Sequence, residues 1–161
     1  MSTIDLTPTC IWPVAAELGE GPIWMGDPGR VWFVDILGRQ VHCCSEQGLH
    51  RQSWPMPLPV GFVLPLAGGK GDFVVGLKGH LQRFNPVSGL LTHLLDVEPE
   101  IPTNRINDGH VDAQGRLWFG TMDMRASKPT GQLYRLSRLM ERAWEKIVEP
   151  KVHATFFPPR A

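Results

Sequence analysis

Residues 115–122, GRLWFGTM, carry the pattern that decides the fold, because it occurs three times along the chain. A glycine followed by alternating apolar residues also stands at 29–36, GRVWFVDI, and at 71–78, GDFVVGLK. The three glycines lie 42 and 44 residues apart. Alternation with a period of two is typical of a β-strand, and a repeat of about 40 to 45 residues is the length of one four-stranded propeller blade.

A second glycine marker follows each of these segments and opens a further strand. These markers are GRQVHCCSEQG from Gly38, GHLQRFNPVSG from Gly79 and GQLYRLSRLME from Gly131. Two strands joined by a glycine turn indicate a hairpin. The sequence therefore predicts an all-β fold with about three propeller blades over residues 1–136, and a divergent tail over 137–161. The aromatic residues expected at contacts between blades are Trp32, Phe33, Trp118 and Phe119.

Composition excludes several classes of function for these 161 residues. Sixteen basic and sixteen acidic side chains cancel, so no net field attracts nucleic acid or an anionic membrane. No apolar run reaches the roughly 18 residues that spanning a bilayer requires, and the N-terminus lacks the pattern of a signal peptide. We expect a cytoplasmic protein. Its three cysteines are not spaced for a zinc site or a disulfide framework, which predicts free thiols.

Polar residues cluster where two of the repeats begin. LGEGPIW, at 18–24, places Glu20 between glycines that allow close backbone approach, which suits a carboxylate at a crowded axis. NRINDG, at 104–109, spaces Arg105 and Asn107 so that both point the same way on an extended segment. A guanidinium and an amide on one face can hold oxyanions or vicinal hydroxyls. The alternative is structural: Glu20 is a solvated turn residue, and Asn107 and Asp108 bond their own backbone.

The other chemical motifs are weaker. His42, His80, His93 and His110 show neither H-x-x-x-H nor H-E-x-x-H spacing, which favours surface or core histidines over metal ligands. The glycines around Lys70 do not form a phosphate loop leading into a helix, and no G-x-S-x-G elbow is present.

Taken together, LGEGPIW, VWFVDI, NRINDGHVDAQGRLWFGTMD and GQLYRL resemble, in this order, the N-terminal half of a known family. That family groups senescence marker protein (regucalcin), gluconolactonase and the luciferin-regenerating enzyme, and the resemblance covers about residues 12–136. It implies a six-bladed β-propeller with one divalent cation, calcium, zinc or manganese, near the central channel. It also implies hydrolysis of small sugar lactones.

The resemblance carries roles for particular residues. Glu20 matches the family's first metal ligand, Arg105 and Asn107 match its substrate-contacting pair, and Asp108-Gly109 matches its shaping turn. A further acidic substrate contact follows the GTM strand in the family. Here the aligned position is Arg125 and the nearest acid is Asp123, which leaves that contact open.

The end of the chain raises two alternatives. The family's remaining metal ligands, an Asn and an Asp that is also the expected catalytic base, come from later blades, so the chain resembles a truncated or frame-shifted lactonase. As an alternative, it is a non-catalytic partial propeller that acts as an interaction module or is a decayed product. In the tail, apolar residues at helical spacing predict a helix from Ser137 to Ile147 that could cover an open edge. Open blade edges also predict self-association.

Overall fold

Three antiparallel sheets follow one another along the chain in the computed structural model, which describes residues 7–26, 28–67 and 71–137. The first sheet contains β1 (Gly19–Met25), β2 (Arg30–Asp35), β3 (Gln40–Ser45) and β4 (Gln52–Pro55). The second contains β5 (Val60–Pro65), β6 (Phe73–Leu77), β7 (His80–Phe84) and β8 (Leu91–Asp96). The third contains β9 (Asn104–Val111), β10 (Leu117–Asp123) and β11 (Leu133–Leu136).

Each sheet is a meander, because its strands pair in the order in which the chain makes them. The three glycine-led repeats form β2, β6 and β10, and the second markers form β3, β7 and β11. The strands that precede them, β1, β5 and β9, lie at the inner edge, where β5 contacts both of the others. The all-β prediction of three propeller blades is therefore confirmed. The predicted helix from Ser137 to Ile147 lies outside the described residues, apart from Ser137.

Aromatic side chains fill the space between sheets. Trp32 lies 4.2 Å from Phe73 between the first two sheets, measured between ring centroids. Phe119 lies 6.5 Å from Phe62 between the second and third. Phe33 and Trp118, each adjacent in sequence to one of these core residues, lie on the opposite faces of their strands, since side chains alternate along a strand. The expected position between blades is thus confirmed for Trp32 and Phe119 only.

The two residues on the opposite faces have other neighbours. The Phe33 ring packs edge-on against Trp12 of the N-terminal segment, with centroids 5.6 Å apart. The N-terminal segment therefore covers part of the outer face of the first sheet. On the third sheet, the Trp118 ring contacts the guanidinium groups of Arg116 and Arg135, whose Cζ atoms lie 5.6 and 5.5 Å from the ring centroid.

The cysteines are free, as the sequence predicts: Cys10 is exposed, and Cys43 and Cys44 are buried. Burial raises the pKa of the Cys43 thiol to about 11, so this group is inert at neutral pH. In the parts of the chain that the structure describes, no helix has the length and apolar character needed to cross a membrane.

Candidate functional site

The inner strand of each sheet contains one irregularity in its pairing with the next strand. Pairing of β1 with β2 shifts between Glu20 and Ile23, and pairing of β5 with β6 shifts between Val60 and Phe62. In β9, Asn107 is the extra residue between two regularly paired neighbours. A β-bulge bends a strand and turns a side chain in a new direction. The bulges of β5 and β9 adjoin each other, because Gly61 lies against the backbone of Ile106 and Asn107.

Glu20 lies at the first of these bulges, and its carboxylate is exposed. Gly21, which follows it, has φ of 58°, a conformation that costs glycine little. The backbone before it is fixed by Asp35, whose carboxylate accepts hydrogen bonds of 2.9 Å from the N–H groups of Glu17 and Leu18. The same carboxylate accepts a bond of 2.9 Å from Gly38. Asp35 therefore holds the segment that presents Glu20.

Arg105 and Asn107 contact each other directly. Arg105 Nη1 donates to Asn107 Oδ1 at 2.8 Å and to the carbonyl oxygen of Ile106 at 3.2 Å. Arg105 is 6% exposed, whereas Asn107 is exposed. Because Asn107 uses its oxygen to accept from Arg105, its Nδ2 group points elsewhere and can donate. The pair forms one donor-rich unit.

The carboxylate of Glu20 acts electrostatically on the charge of Arg105. Burial lowers the pKa of Arg105, and the neighbouring carboxylate of Glu20 partly offsets the shift. A guanidinium remains protonated at physiological pH even so. Among the described residues, no partner accepts a hydrogen bond from Arg105 Nε or Nη2. The structure thus places Arg105 in direct contact with Asn107 and within electrostatic range of Glu20, and it leaves donor capacity on the guanidinium.

Close contact between blades fixes the position of Asn107. Gly61, at the bulge of β5, lies against β9, and a Cβ added there would be 2.5 Å from the carbonyl oxygen of Ile106 and 2.9 Å from that of Asn107. No other residue type fits without moving one of the strands. Glycine at this position lets the second blade press directly on the peptide that carries Asn107.

Asp108 and Asp123 have other partners. Asp108 Oδ1 accepts from the backbone N–H of Gly109 at 2.7 Å, in agreement with the structural alternative for this residue. The Asp123 carboxylate accepts from the N–H and hydroxyl groups of Ser127, both at 2.8 Å, and the backbone hydrogen bond lowers the pKa of Asp123 most.

Asp123 is also separated from the arginine by the pleat. It pairs with Asn104, whose neighbour Arg105 points to the other face of the sheet. The structure therefore does not bring Asp123 to Arg105 and Asn107, and Arg125 lies exposed in the following turn. A substrate contact for Asp123 stays a prediction.

Sequence reasoning missed a buried carboxylate between the second and third sheets. Glu98 is 7% exposed and accepts hydrogen bonds from Thr121 Oγ1 at 2.7 Å, Tyr134 OH at 2.8 Å and Asn104 Nδ2 at 2.8 Å. Burial and the bond to Glu98 raise the pKa of the Tyr134 phenol. The partners are 6 to 36 residues away in sequence, so local spacing gives no signal. This network locks the start of β9, from which Arg105 extends.

The donor set at Glu20 is too small for a divalent cation. Zinc takes about four ligands and calcium six to eight oxygens. Within the described part of the chain, no group of three histidine, cysteine or acidic side chains converges at Glu20. Glu20 therefore fits as one ligand of such a site, and the described residues do not complete it.

Residues 18–150 match the family described as the SMP-30/gluconolactonase/LRE-like region. An L-arabinolactonase from Azospirillum brasilense is 38% identical over 122 residues, which cover 74% of this chain and 40% of the relative.

Solved structures of the same family are also similar to this chain. The chain is similar to a luciferin-regenerating enzyme, with 35% identity, a TM-score of 0.69 and coverage of 75% of this chain and 42% of that one. It is also similar to a calcium-binding protein, regucalcin, from Agrobacterium tumefaciens, with 25% identity, a TM-score of 0.74 and coverage of 88% and 43%. The chain thus spans about two fifths of the length of these relatives.

Proposed function

The chain belongs to the SMP-30/gluconolactonase/LRE-like family, and we propose that it supplies the part of a sugar-lactone hydrolase that holds and orients the substrate. Relatives named lactonase support this class of reaction. The proposal assigns substrate binding to Arg105 and Asn107 and places Glu20 beside them. Turnover of substrate by the chain itself is tested by a separate assay.

The chemistry of the three side chains suits a polyhydroxylated ring. A sugar lactone presents hydroxyl and carbonyl oxygens that accept hydrogen bonds, and hydroxyl protons that donate them. Arg105 Nε and Nη2 and Asn107 Nδ2 would donate to the oxygens, while the Glu20 carboxylate would accept from a hydroxyl or serve as a cation ligand. Holding the ring by several contacts orients its carbonyl for attack by water. Water then adds to the carbonyl carbon, the ring C–O bond breaks, and the product is a hydroxy acid.

A divalent cation is part of the family's expected site, and calcium, zinc or manganese would each be compatible with a carboxylate ligand. Such an ion would polarise the lactone carbonyl. Glu20 is proposed as one ligand, and the remaining ligands would have to come from outside the described residues. We therefore assign no reaction step to an ion in this chain.

The observation that carries the proposal is the buried guanidinium at the bulges. Burying a charged group is costly unless it is paired and hydrogen-bonded. Arg105 is 6% exposed, its electrostatic partner is Glu20, and one of its donor nitrogens is engaged by Asn107. Keeping such a group beside an exposed amide and an exposed carboxylate serves ligand binding better than it serves stability.

The test is binding of an aldonolactone and of its aldonic acid product, measured by ligand-observed NMR and by calorimetry. We expect Arg105→Lys to weaken binding about 10- to 100-fold, because it removes charge-assisted hydrogen bonds worth about 1.5–3 kcal/mol. Arg39→Lys is the matched control, since Arg39 is an exposed arginine in a turn of the first sheet. No sugar-lactone binding by the folded chain, or equal losses in both variants, would contradict the proposal.

A turnover assay separates the enzyme from the alternative, a non-catalytic interaction module. The incomplete donor set at Glu20 favours the module for this chain alone. Lactone opening releases acid, which a pH indicator follows with and without added Ca²⁺, Zn²⁺ or Mn²⁺. Cation-dependent turnover that is lost in Glu20→Gln would establish the enzyme. Binding without turnover would assign the chain a substrate-holding role only.

A further inference from the structure

Two histidines and an aspartate converge on the outer strands of the second sheet, away from the inner edge that carries Glu20. His80 begins β7, and His93 and Asp96 lie on β8. Each of the three side chains offers one ligand atom, and these three atoms lie within 4.8 Å of one another. We propose that His80, His93 and Asp96 form a binding site for one divalent transition-metal ion of the zinc type.

A β-bulge makes this convergence possible. His80 pairs directly with Asp96, so both side chains are on the same face of the sheet. His93 is three residues before Asp96, and in a regular strand an odd spacing would put the two on opposite faces. The pairing of β7 with β8 shifts between Leu81 and Gln82, and Leu94 is the extra residue. The bulge reverses the alternation and turns His93 towards Asp96.

The separations match those of ligands around one ion. His80 Nδ1 lies 3.2 Å from Asp96 Oδ1, and His93 Nε2 lies 3.5 Å from the same oxygen. Zinc bonds of about 2.0–2.2 Å in a tetrahedron place neighbouring ligand atoms roughly 3.3–3.6 Å apart. Small side-chain rotations would therefore bring the three atoms to bonding distance of one centre. The imidazole rings lie 5.8 Å apart at 71°, so they do not block each other.

The chemistry of the donor set selects the class of ion. Two imidazoles and one carboxylate suit zinc and its neighbours in the first transition row, whereas calcium and magnesium prefer oxygen ligands alone. The side chains are 33% to 60% exposed, so an ion can reach them from solvent. Exposure also means that each can be replaced with little effect on folding.

An adjoining cleft leaves room for a fourth ligand. A cleft of about 300 Å³ runs along His80 and Asp96, and its other lining residues include Lys78, Glu98 and Asn104. Three protein ligands with one open position are typical of zinc sites that bind water or a small anion. Lys78 at the cleft wall adds a positive charge. The site would accordingly hold a bound water or a small anionic ligand on the side of the cleft.

The test is zinc binding by calorimetry with the full chain in a Cys10→Ser, Glu20→Gln background. These changes remove an exposed thiol and the family's expected ligand as competing sites, so the result is independent of the proposed lactonase site. We expect one equivalent of Zn²⁺ to bind. We also expect His80→Asn, His93→Asn and Asp96→Asn each to weaken binding at least about tenfold, since ligand loss removes more than about 1.4 kcal/mol.

His50→Asn is the matched control because it removes an exposed histidine outside the cluster and keeps a residue that tolerates the positive φ of 51° at that position. Its affinity for zinc should be unchanged. Co²⁺ substitution gives a second readout, since a tetrahedral nitrogen–oxygen site has visible absorption bands that the three variants should lose. Absence of a one-equivalent site, or equal affinity in the cluster variants and the control, would overturn the proposal. Circular dichroism of each variant verifies that the fold is retained.

Discussion

Asp35 shows how one side chain outside the candidate site can control a residue within it. Its carboxylate accepts three backbone hydrogen bonds and thereby fixes the segment that leads to Glu20. Burial opposes ionisation, but the hydrogen bonds from Leu18, Gly38 and Glu17 outweigh it, so the pKa of Asp35 lies below its ordinary value. A residue with this role is a positioning residue.

This shift makes stability depend on pH. Because the folded pKa is lower than the unfolded value, the ionised Asp35 stabilises the fold above about pH 3.9. That contribution is lost as the pH falls from there through the lower folded pKa. We expect Asp35→Asn to lower the free energy of unfolding by about 1–3 kcal/mol at neutral pH and to flatten its decline in acid. Urea unfolding at a series of pH values measures both effects.

Glu46→Gln is the control for this prediction, because Glu46 is an exposed carboxylate of the first sheet. Its pH dependence should equal that of the unaltered chain. An Asp35→Asn variant whose stability falls in acid as steeply as the control would argue against the role given to Asp35.

The site residues illustrate what a sequence can reveal at this scale. Glu20, Arg105 and Asn107 are predicted as site residues because local spacing and a recognisable motif mark them. Glu98 is not, since its partners Asn104, Thr121 and Tyr134 approach it only when two sheets pack. The cluster of His80, His93 and Asp96 could not be predicted from sequence spacing either, because the bulge at Leu94 reverses the alternation of side chains along β8.

Among the elements, β5 is the strand that separates and supports the two strands of the candidate site, β1 and β9. It contacts β1 on one side and β9 on the other. Phe62 of this strand lies beside two glycines, Gly76 and Gly109, where an added Cβ would meet the phenyl ring at 2.5 and 2.6 Å.

The strands and their order can be predicted from the glycine repeat, because the period-two alternation of apolar residues is present in the sequence. Bulges and close approaches cannot, because they depend on how strands pair and pack.

Gly61→Ala tests the close approach of β5 to β9. The added methyl group would meet backbone atoms of Ile106 at 2.5 and 2.8 Å, and backbone cannot move aside cheaply. We expect a loss of about 1–3 kcal/mol in the free energy of unfolding, measured in urea. We also expect weaker aldonolactone binding, since the peptide of Asn107 would shift.

Gly120→Ala is the matched control for this change. It lies on β10, the middle strand of the third sheet, where an added Cβ would be 3.8 Å from its nearest neighbour, the carbonyl oxygen of Gln132. Its stability should change by no more than about 0.5 kcal/mol. Similar losses in both variants would show that the contact between β5 and β9 does not limit stability.

At the scale of the whole molecule, the described residues supply three blades, fewer than the roughly four to eight with which propellers close. In the described residues, the outer strands β4, β8 and β11 each pair on one side only. Trp24 on β1 is 55% exposed, which adds apolar surface at the inner edge. Unpaired strands and exposed apolar side chains favour pairing with another chain.

We therefore expect the purified chain to self-associate as its concentration rises. Size-exclusion chromatography with light scattering at a series of concentrations measures the mass directly. Trp24→Ser should reduce association, while Trp118→Ser, which removes a tryptophan in contact with two arginines, should not. A single monomeric species at every concentration would exclude association.

The bulge at Asn107 has a consequence for mutation by deletion. Removing that one residue would give β9 and β10 an uninterrupted ladder, so backbone pairing alone would tolerate the change. The pairs of Ile106 with Thr121, Arg105 with Met122 and Asn104 with Asp123 would keep their register, so these side chains would stay on their present faces. The deletion would instead remove the local bend of β9 and the amide oxygen that accepts a hydrogen bond from Arg105. Loss of a single codon would thus leave a folded, more regular blade in which the buried guanidinium has lost its side-chain partner.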